Sequence, residues 1–317
     1  MASEIQPVNA GSSADLLIEE CEVLVAQQPT FEDGEPPVGV VIHAYYPDVL
    51  QDILVRLTKL PERLHLYVTC GAGRDDGVCT LLAASGLSYS LYRVPNHGRD
   101  VLPFLRMLPF LRADNIHMLV KLHTKRSLHL GGENDWGLEL LDDLLSPVRF
   151  RRALEQLADP VHVPMLGPQR YLLPVTRFLS ESNRSILVTL AERAGIDPDG
   201  ITEADFFAGT MFIARTEVFA PLERMQLTGN DFETESGQLD GTLAHVLERF
   251  FGMLANVGRQ QRSIDLYQRW LAARQLSTAE LEGLPARLGS WPRRPDVLVV
   301  LTDTTGNIAQ LRSSLKS

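Results

Sequence analysis

Between Val38 and Thr124 four short apolar runs alternate with longer stretches of helical periodicity, and few folds accommodate that alternation. The runs are "VGVVIHAYY", "LHLYVTC", "SYSLYRVPN" and "IHMLVKLHT", rich in β-branched and aromatic residues and too short for buried helices. Between them lie "PDVLQDILVRLTKLP", opened by Pro47-Asp48 and closed by Pro61, then "GVCTLLAASGL", ending near Gly86, and "RDVLPFLRMLPFLRA", which reads as helical despite two prolines. Strands alternating with helices of this length predict βαβ units: an α/β fold, a Rossmann-like and mainly parallel sheet flanked by helices. Right-handed crossovers then bring the strand C-termini to one edge, where open α/β sheets bind ligands. Three unusual loops fall on that edge: His43 to Tyr46, Asn96 to Asp100, and the stretch "VKLHTKRSLHLGGENDW" from Val120.

Composition narrows the function. The 317 residues are 44% hydrophobic and 22% charged, as in ordinary globular domains. A net charge of −10 disfavours a general nucleic-acid binder and electrostatic attachment of the whole chain to anionic lipid. Cys21, Cys70 and Cys79 have neither metal spacing nor even pairing, and read as reduced thiols. The N-terminus lacks a basic region ahead of its apolar part, and no apolar run is long enough to span a bilayer, so the expected location is the cytoplasm.

Residues 1–37 read as a polar tail, a short helix "ADLLIEECEVLVAQQ" capped by Ser13 or Asp15, and the linker "PTFEDGEPP". Residues 38–258 form the main domain. Its second half is less regular: helices at "GGENDWGLELLDDLLS", "PVRFRRALEQLADP" and "SILVTLAERAG", a strand-like "VPMLGP", a strand after a turn in "DFFAGTMFIAR", and a strong amphipathic helix in "GQLDGTLAHVLERFFGMLANVG". Residues 259–294 read as a helical extension or linker, and 295–317 as the opening of a further domain or, alternatively, a last edge strand and helix of the same one.

Four constellations carry chemistry. Lys121, His123 and Lys125 share one face of an extended strand, with Arg126 and His129 close behind. Donors clustered at a strand C-terminus suit a diphosphate, although a solvated basic turn fits the same residues equally well. In "PNHGRDVLPFL", Asn96 and Gly98 favour a turn, His97 and Arg99 add donors, and Asp100 is placed to cap the next helix. Gly209-Thr210 interrupts an aromatic run, as a bulge or a point of close backbone approach would. Glu233, Glu235 and Asp240 precede the amphipathic helix; Asp240 at its N-cap would be pinned by backbone N–H groups, suiting either a general base or a structural cap. His245 and Arg249 read as core-edge and surface groups. The P-loop, the dinucleotide fingerprint, the Gly-x-Ser-x-Gly elbow and zinc spacing are all missing from the sequence, and "GAGRDDG" reads as a flexible loop.

"VIHAYYPDVLQDILVRL", "LYVTC", "VPNHGRDVLPFL", "LVKLHTKRS", "MLGP", "FFAGTMFIAR" and "DFETESGQLDGTLAHVLERFF", in this order over roughly residues 38–252, resemble the rhamnan synthesis protein F family of bacterial polysaccharide assembly. The resemblance implies a fold related to the A-type glycosyltransferases, and transfer of a sugar, with L-rhamnose from dTDP-L-rhamnose as the best-known case, from a nucleotide-diphosphate donor to a growing glycan or lipid-linked glycan. Related enzymes hold a metal with Asp-x-Asp after the fourth strand; here "KLHTK" stands in that place. No divalent metal or other cofactor is therefore expected, although Mg or Mn would be compatible. Lys121, His123, Lys125 and Arg126 would bind the diphosphate, each such group lowering the barrier by about 3 kcal/mol. Asp240, or failing that Glu235, would deprotonate the acceptor in an inverting displacement. His43, Tyr45, Asn96, Arg99, Asp100, Gly209 and Thr210 would border the nucleotide sugar. A lipid-linked acceptor would bring the chain to the inner face of the cytoplasmic membrane, beside an adjoining glycosyltransferase domain. The rival readings are a glycosyltransferase-like scaffold without catalysis and a nucleotide-sugar enzyme of another class, such as an epimerase.

Overall fold

A computed structural model describes residues 20–32, 34–124, 136–158, 164–225, 227–237 and 240–256. Its centre is a seven-stranded sheet. In chain order the strands are β1 (Glu22–Val25), β2 (Val38–Ala44), β3 (Leu64–Cys70), β4 (Ser88–Arg93), β5 (Met118–His123), β6 (Met165–Leu166) and, after two strands of a separate sheet, β9 (Phe212–Arg215). The separate antiparallel pair is β7 (Leu172–Pro174) with β8 (Asp205–Phe207). Across the main sheet the order is β1-β4-β3-β2-β5-β9-β6. The pairs β4–β3, β3–β2 and β2–β5 are parallel, whereas β1 and β9 pair antiparallel with their neighbours. The α/β, Rossmann-like architecture expected from the alternation is the one observed.

Helices α1 (Pro47–Leu57), α2 (Asp75–Ser85), α4 (Trp136–Leu145) and α5 (Pro147–Ala158) cover one face; α3 (Val101–Ala113), α6 (Glu181–Ala194) and α8 (243–256) cover the other. The short α7 (Pro221–Met225) adds Leu222 and Met225 to the second face. With both faces covered, the central strands are apolar almost throughout, and every residue of β3 is buried. Strand alternation sends Val40 and Ile42 to one core and Val41 to the other. In α1, Leu50, Ile53, Leu54 and Leu57 follow the spacing of a single buried stripe. On the α3 and α8 side, the rings of Phe104, Phe212, Phe219 and Phe251 pack with centroids 5.0–6.0 Å apart.

One element departs from the sequence reading. Residues 22–25 are not helical but form an edge strand, pairing Glu22 with Arg93 and Val23 with Tyr92. "EVLV" has strand composition, and the open edge of β4 supplies backbone partners that no local periodicity can announce. Of the rest of the expected helix, residues 20, 21 and 26–28 are not helical either, and residues 13–19, Ser13 and Asp15 included, lie outside the described residues, as do the 259–294 and 295–317 segments. Among the described residues, no helix is long and apolar enough to cross a membrane.

The crossing of α8 over β8 depends on Gly252. A Cβ there would lie 1.9 Å from the carbonyl oxygen of Asp205, and backbone cannot yield as a side chain can. Gly252→Ala should destabilise the domain by about 2–3 kcal/mol and lower Tm by roughly 5–10 °C. Gly200→Ala, facing open space, should change stability by no more than about 0.5 kcal/mol. Thermal denaturation of the two variants side by side checks the contrast.

Candidate functional site

The parallel strands reverse their order of addition between β2 and β5: β3 and β4 extend to one side of β2, and β5 lies on the other. This is the topological switch point at which open α/β sheets form a ligand crevice. Thr124, fully buried at the end of β5, closes its floor. Its Oγ accepts hydrogen bonds from the backbone N–H groups of Tyr45 (2.6 Å) and Tyr46 (2.8 Å), fixing the loop after β2 against β5. His43, next to the last residue of β2, places Nδ1 3.0 Å from Thr69 Oγ. Burial first, and the nearby cations His123, Lys121 and Arg74, push the His43 imidazole down to about 4 against the opposing pull of Asp100, so it is neutral at pH 7.

Next to it lies a buried cluster of charges. Lys121 Nζ sits 2.5 Å from Asp100 Oδ2 and donates to the carbonyl of Thr210 at 3.0 Å; the Thr210 hydroxyl donates to the same Asp100 oxygen at 2.6 Å. Lys121 is 1% exposed, and its ammonium lies 5.6 Å from the centroid of the Phe104 ring. Burial alone would raise the Asp100 pKa, but the charges of Lys121 and His123 and the hydrogen bonds from Lys121 and Thr210 outweigh it and hold the carboxyl well below the usual range. Asp100 begins α3 without capping it: no hydrogen bond joins its side chain to the helix N-terminus. The capping role read from the sequence is thus corrected. The carboxylate turns inward instead, because a buried ammonium leaves it a far stronger partner than an amide.

Two left-handed pairs make this geometry. Gly98 (φ 64°) and Arg99 (φ 57°) reverse the chain so that Asp100 points into the sheet and Arg99 points away from it. A Cβ on Gly98 would lie 2.5 Å from Leu102 Cβ, so only glycine fits. Gly209 (φ 90°) and Thr210 (φ 49°) form the second pair. A β-branched residue in that region is strained, and here hydrogen bonds on all sides hold it. His123 Nε2 donates to the Gly209 carbonyl at 2.7 Å, and the Gly209 N–H donates to Glu248 Oε1 at 2.7 Å. Burial, aided by the nearby Asp100, raises the Glu248 pKa. The Gly209-Thr210 turn is therefore held by side chains of β5, α8 and the loop after β4.

Arg99 leads outward. Its Nε and Nη2 clasp Glu235 at 3.1 and 3.0 Å, and its Nη1 donates to His245 Nε2 at 2.7 Å. One helical turn further along α8, Arg249 Nη2 donates to Asp240 Oδ1 at 3.1 Å, and Asn183 Nδ2 donates to Asp240 Oδ2 at 3.0 Å. Asp240 does not cap α8. Glu233 does so from ten residues upstream, accepting from the Leu243 N–H at 3.1 and 2.9 Å. The helix starts later than the apolar pattern suggests, leaving Asp240 outside its first turn. Arg249 is not a surface group either: it is buried and bonded to the carbonyls of Phe178 and His245.

A cavity of about 520 Å³ opens at the ends of β2, β3 and β4, lined by Tyr45, Gly71, Arg74, Arg93 and Asn96 among others. Arg74 lies 3.9 Å over the Tyr45 ring and donates to its carbonyl at 2.7 Å. "GAGRDDG" is thus no free loop: Arg74 serves the cavity, and α2 begins at Asp75.

The structure gathers His43, Asp100, Lys121, His123, Gly209 and Thr210 into one cluster, with Arg99 and Glu235 beside it, Tyr45 and Asn96 at the cavity, and Asp240 on the flank of α8. Lys121 and His123 do share a face, but it looks into the protein rather than onto an open edge, so a direct diphosphate contact by Lys121 is not carried forward. His97 is likewise used up in packing, its Nε2 within 3.1 Å of the carbonyls of Gly229 and Phe232. Lys125, Arg126 and His129 lie outside the described residues. Sequence reasoning passed over Thr124, Arg74, Asn183 and Glu248. Of these only Arg74, the cation in a glycine-rich loop on the ligand edge, carried a signal. Among the described residues, no group of three or more His, Cys, Asp and Glu side chains is placed to hold a metal ion.

The fold and this edge define a Rossmann-like α/β domain with polar and charged chemistry at its switch point. The model of the rhamnan synthesis protein F family matches residues 12–259, and the chain belongs to that family, which associates it with rhamnan polysaccharide synthesis. It is also 37% identical over 219 residues to a protein of Xanthomonas campestris pv. campestris strain B100 named "Uncharacterized protein WxcX", and 36% identical to the protein of the same name in strain ATCC 33913. The matched stretch covers 69% of this chain and 31% of each relative, so the chain spans about a third of their length.

Lys121→Met would leave Asp100 buried without its counter-charge, and should cost about 3–5 kcal/mol, lowering Tm by on the order of 10 °C. A smaller loss in thermal denaturation would mean that the pair is not the keystone of this edge. His43 sets a pH dependence. Its folded pKa lies below the unfolded value near 6.5, so its contribution is full above that value and is lost as pH falls towards about 4. Replacing His43 with Gln should flatten the stability profile across this window, measured by urea denaturation at successive pH values.

Proposed function

We propose that this chain is a glycosyltransferase domain of rhamnan-type polysaccharide synthesis that takes a sugar, with L-rhamnose foremost, from a nucleotide-diphosphate donor such as dTDP-L-rhamnose and adds it to a growing glycan. The observation that carries this reading, alongside the family, is the convergence of a cavity and a proton-active polar cluster on the switch point of a parallel sheet. The cavity beside Tyr45, Arg74 and Asn96 suits the donor's nucleoside, since its volume and its mix of aromatic and polar walls are those of a small-molecule site. The diphosphate would extend from there towards the end of β5, where Lys125 and Arg126 follow Thr124 in sequence. In this reading Lys121, Asp100 and His123 are positioning residues that hold the Gly209-Thr210 turn and the crevice floor in place.

In the reaction, the acceptor oxygen forms a bond to the donor's anomeric carbon while the bond from that carbon to the phosphate oxygen breaks. The nucleoside diphosphate leaves with the electron pair, through an oxocarbenium-like state of the kind met in glycoside hydrolysis. The hydroxyl proton passes to a carboxylate. Asp240 suits this role better than Glu235: its carboxylate is shared between Arg249 and the neutral amide of Asn183, whereas Glu235 is held by one guanidinium in a two-point ion pair that protonation would break. Displacement from the face opposite the leaving group would invert the anomeric centre. Lys125 and Arg126 are proposed to take the charge-stabilising role that a metal fills in related enzymes.

One observation favours a second reading, a scaffold domain without catalysis: the buried bonds of Lys121 remove a cation that the transfer reaction could use. Titration with dTDP in EDTA separates the two. Tight binding that Lys125→Ala abolishes is expected, and an absolute requirement for manganese would sink the metal-free proposal. With donor and acceptor present, Asp240→Asn should keep its donor affinity while transfer falls by at least about 100-fold. Unchanged transfer would remove Asp240 from the mechanism.

A further inference from the structure

Arg74 has no task in the reaction beyond lining the donor's cavity, yet several parts of the fold fix it in place. It closes the turn from Gly71: its N–H donates to the Gly71 carbonyl at 3.2 Å, and Gly73, at φ 78°, takes the position where such a turn needs a left-handed residue. Its guanidinium lies 3.9 Å over the Tyr45 ring, and Nη1 donates to the Tyr45 carbonyl at 2.7 Å. Tyr45 is itself held, because its N–H donates to Thr124 Oγ at 2.6 Å. Holding a long side chain in one rotamer costs conformational entropy, which a solvated surface arginine has no reason to give up.

What this placement leaves over is one edge of the guanidinium. Nε and Nη2 donate to no group among the described residues. Their N–H groups lie along one side of the plane and match two oxygens of a single anion; Arg99 uses the same pair of nitrogens on the Glu235 carboxylate. Arg74 also has no counter-ion among the described residues, although Glu20, Glu22 and Arg93 line the same cavity. Those three are already paired: Arg93 with Glu22 and with Asp75, the latter at 2.5 Å, and Glu20 with Arg106. A half-buried cation with a two-point edge to spare, on the wall of a cavity of about 520 Å³, is suited to an anion.

We propose that Arg74, held by Tyr45, is a phosphate site, and that its Nε and Nη2 grip the phosphate joined to the nucleoside of the donor. The proposal rests on the glycosyltransferase reading and deepens it by giving the first phosphate a residue of its own. The position of Arg74 favours this group. The bond from Tyr45 to Thr124 sets Arg74 on the side of the cavity next to β5, while Val94, Pro95 and Asn96 line the side next to β4. A nucleoside lying against the β4 side meets Arg74 at its phosphate-bearing end, and the following phosphate is carried on towards Lys125 and Arg126. A lysine cannot take this place, because an ammonium offers neither the paired donors nor a plane to stack on Tyr45.

The test is direct binding rather than turnover. Ligand-observed NMR titration of the full chain in EDTA would use thymidine, dTMP, dTDP and inorganic pyrophosphate. In the parent chain dTMP should bind at least about tenfold more tightly than thymidine. Arg74→Gln should abolish that gain, leave thymidine within about twofold and keep the parent's melting temperature. Lys59→Gln removes one positive charge from an exposed position just beyond α1, at the other edge of the sheet, and should leave the gain intact. A gain that survives in Arg74→Gln, or that Lys59→Gln abolishes equally, overturns the site, as does a parent chain that binds dTMP no better than thymidine. If dTDP binds in any of these cases, the glycosyltransferase reading survives without the site. If instead pyrophosphate binds, is lost in Arg74→Gln, and no nucleotide binds, the phosphate site stands and the glycosyltransferase reading falls. Binding of neither nucleotide nor pyrophosphate overturns both.

Discussion

The ion pair between Lys121 and Asp100 is the contact on which the ligand edge depends. Taking an ammonium and a carboxylate out of water costs several kcal/mol per ion, and their attraction offsets this only when the remaining hydrogen bonds are satisfied. Here they are: the Thr210 hydroxyl and carbonyl complete the pair, and the Phe104 ring lies under the ammonium. In doing so the pair joins three segments distant in sequence, the loop after β4, the end of β5 and the turn before β9. A one-residue slip of β5 would turn Lys121 to the other face and leave Asp100 without its cation. The pair therefore acts on register and loop placement more than on net stability.

Around this centre the domain arranges its chemistry in layers. The floor is rigid: Thr124 holds the loop after β2, and His123 and Glu248 hold the two ends of the Gly209 peptide unit. Outside it stand two ion pairs whose carboxylates are more exposed, Arg99 with Glu235, then Arg249 with Asp240. Backbone strain at Arg99 and Thr210 lies at the boundary between the layers, where the chain must aim neighbouring side chains in opposite directions.

Much of the fold was legible in the sequence, and for a definite reason. A parallel strand covered on both faces must be apolar throughout, and its crossover helix must show one apolar stripe, so β2 to β5 and α1 to α3 announce themselves locally. Residues 22–25 misled because an edge strand is specified by its neighbour, here β4, and carries little pattern of its own. Asp100 and Asp240 misled in the same way. Each sits in sequence where a helix cap belongs, and each has a cationic partner far along the chain or a turn into a helix that draws its carboxylate elsewhere.

The sequence by itself determined the α/β class, the edge on which the chemistry gathers and the residue types found there, since strand polarity and loop position follow from local pattern. Only the tertiary structure decided how those residues are used. Charge and hydrogen-bonding capacity are properties of a side chain, but whether they face a ligand or a buried partner depends on which segments meet. Lys121 is a cation in either case; β9, α3 and the loop after β4 make it a buried strut. Asn183 is an ordinary polar residue on a helix until α8 approaches and its amide is left half satisfied beside Asp240.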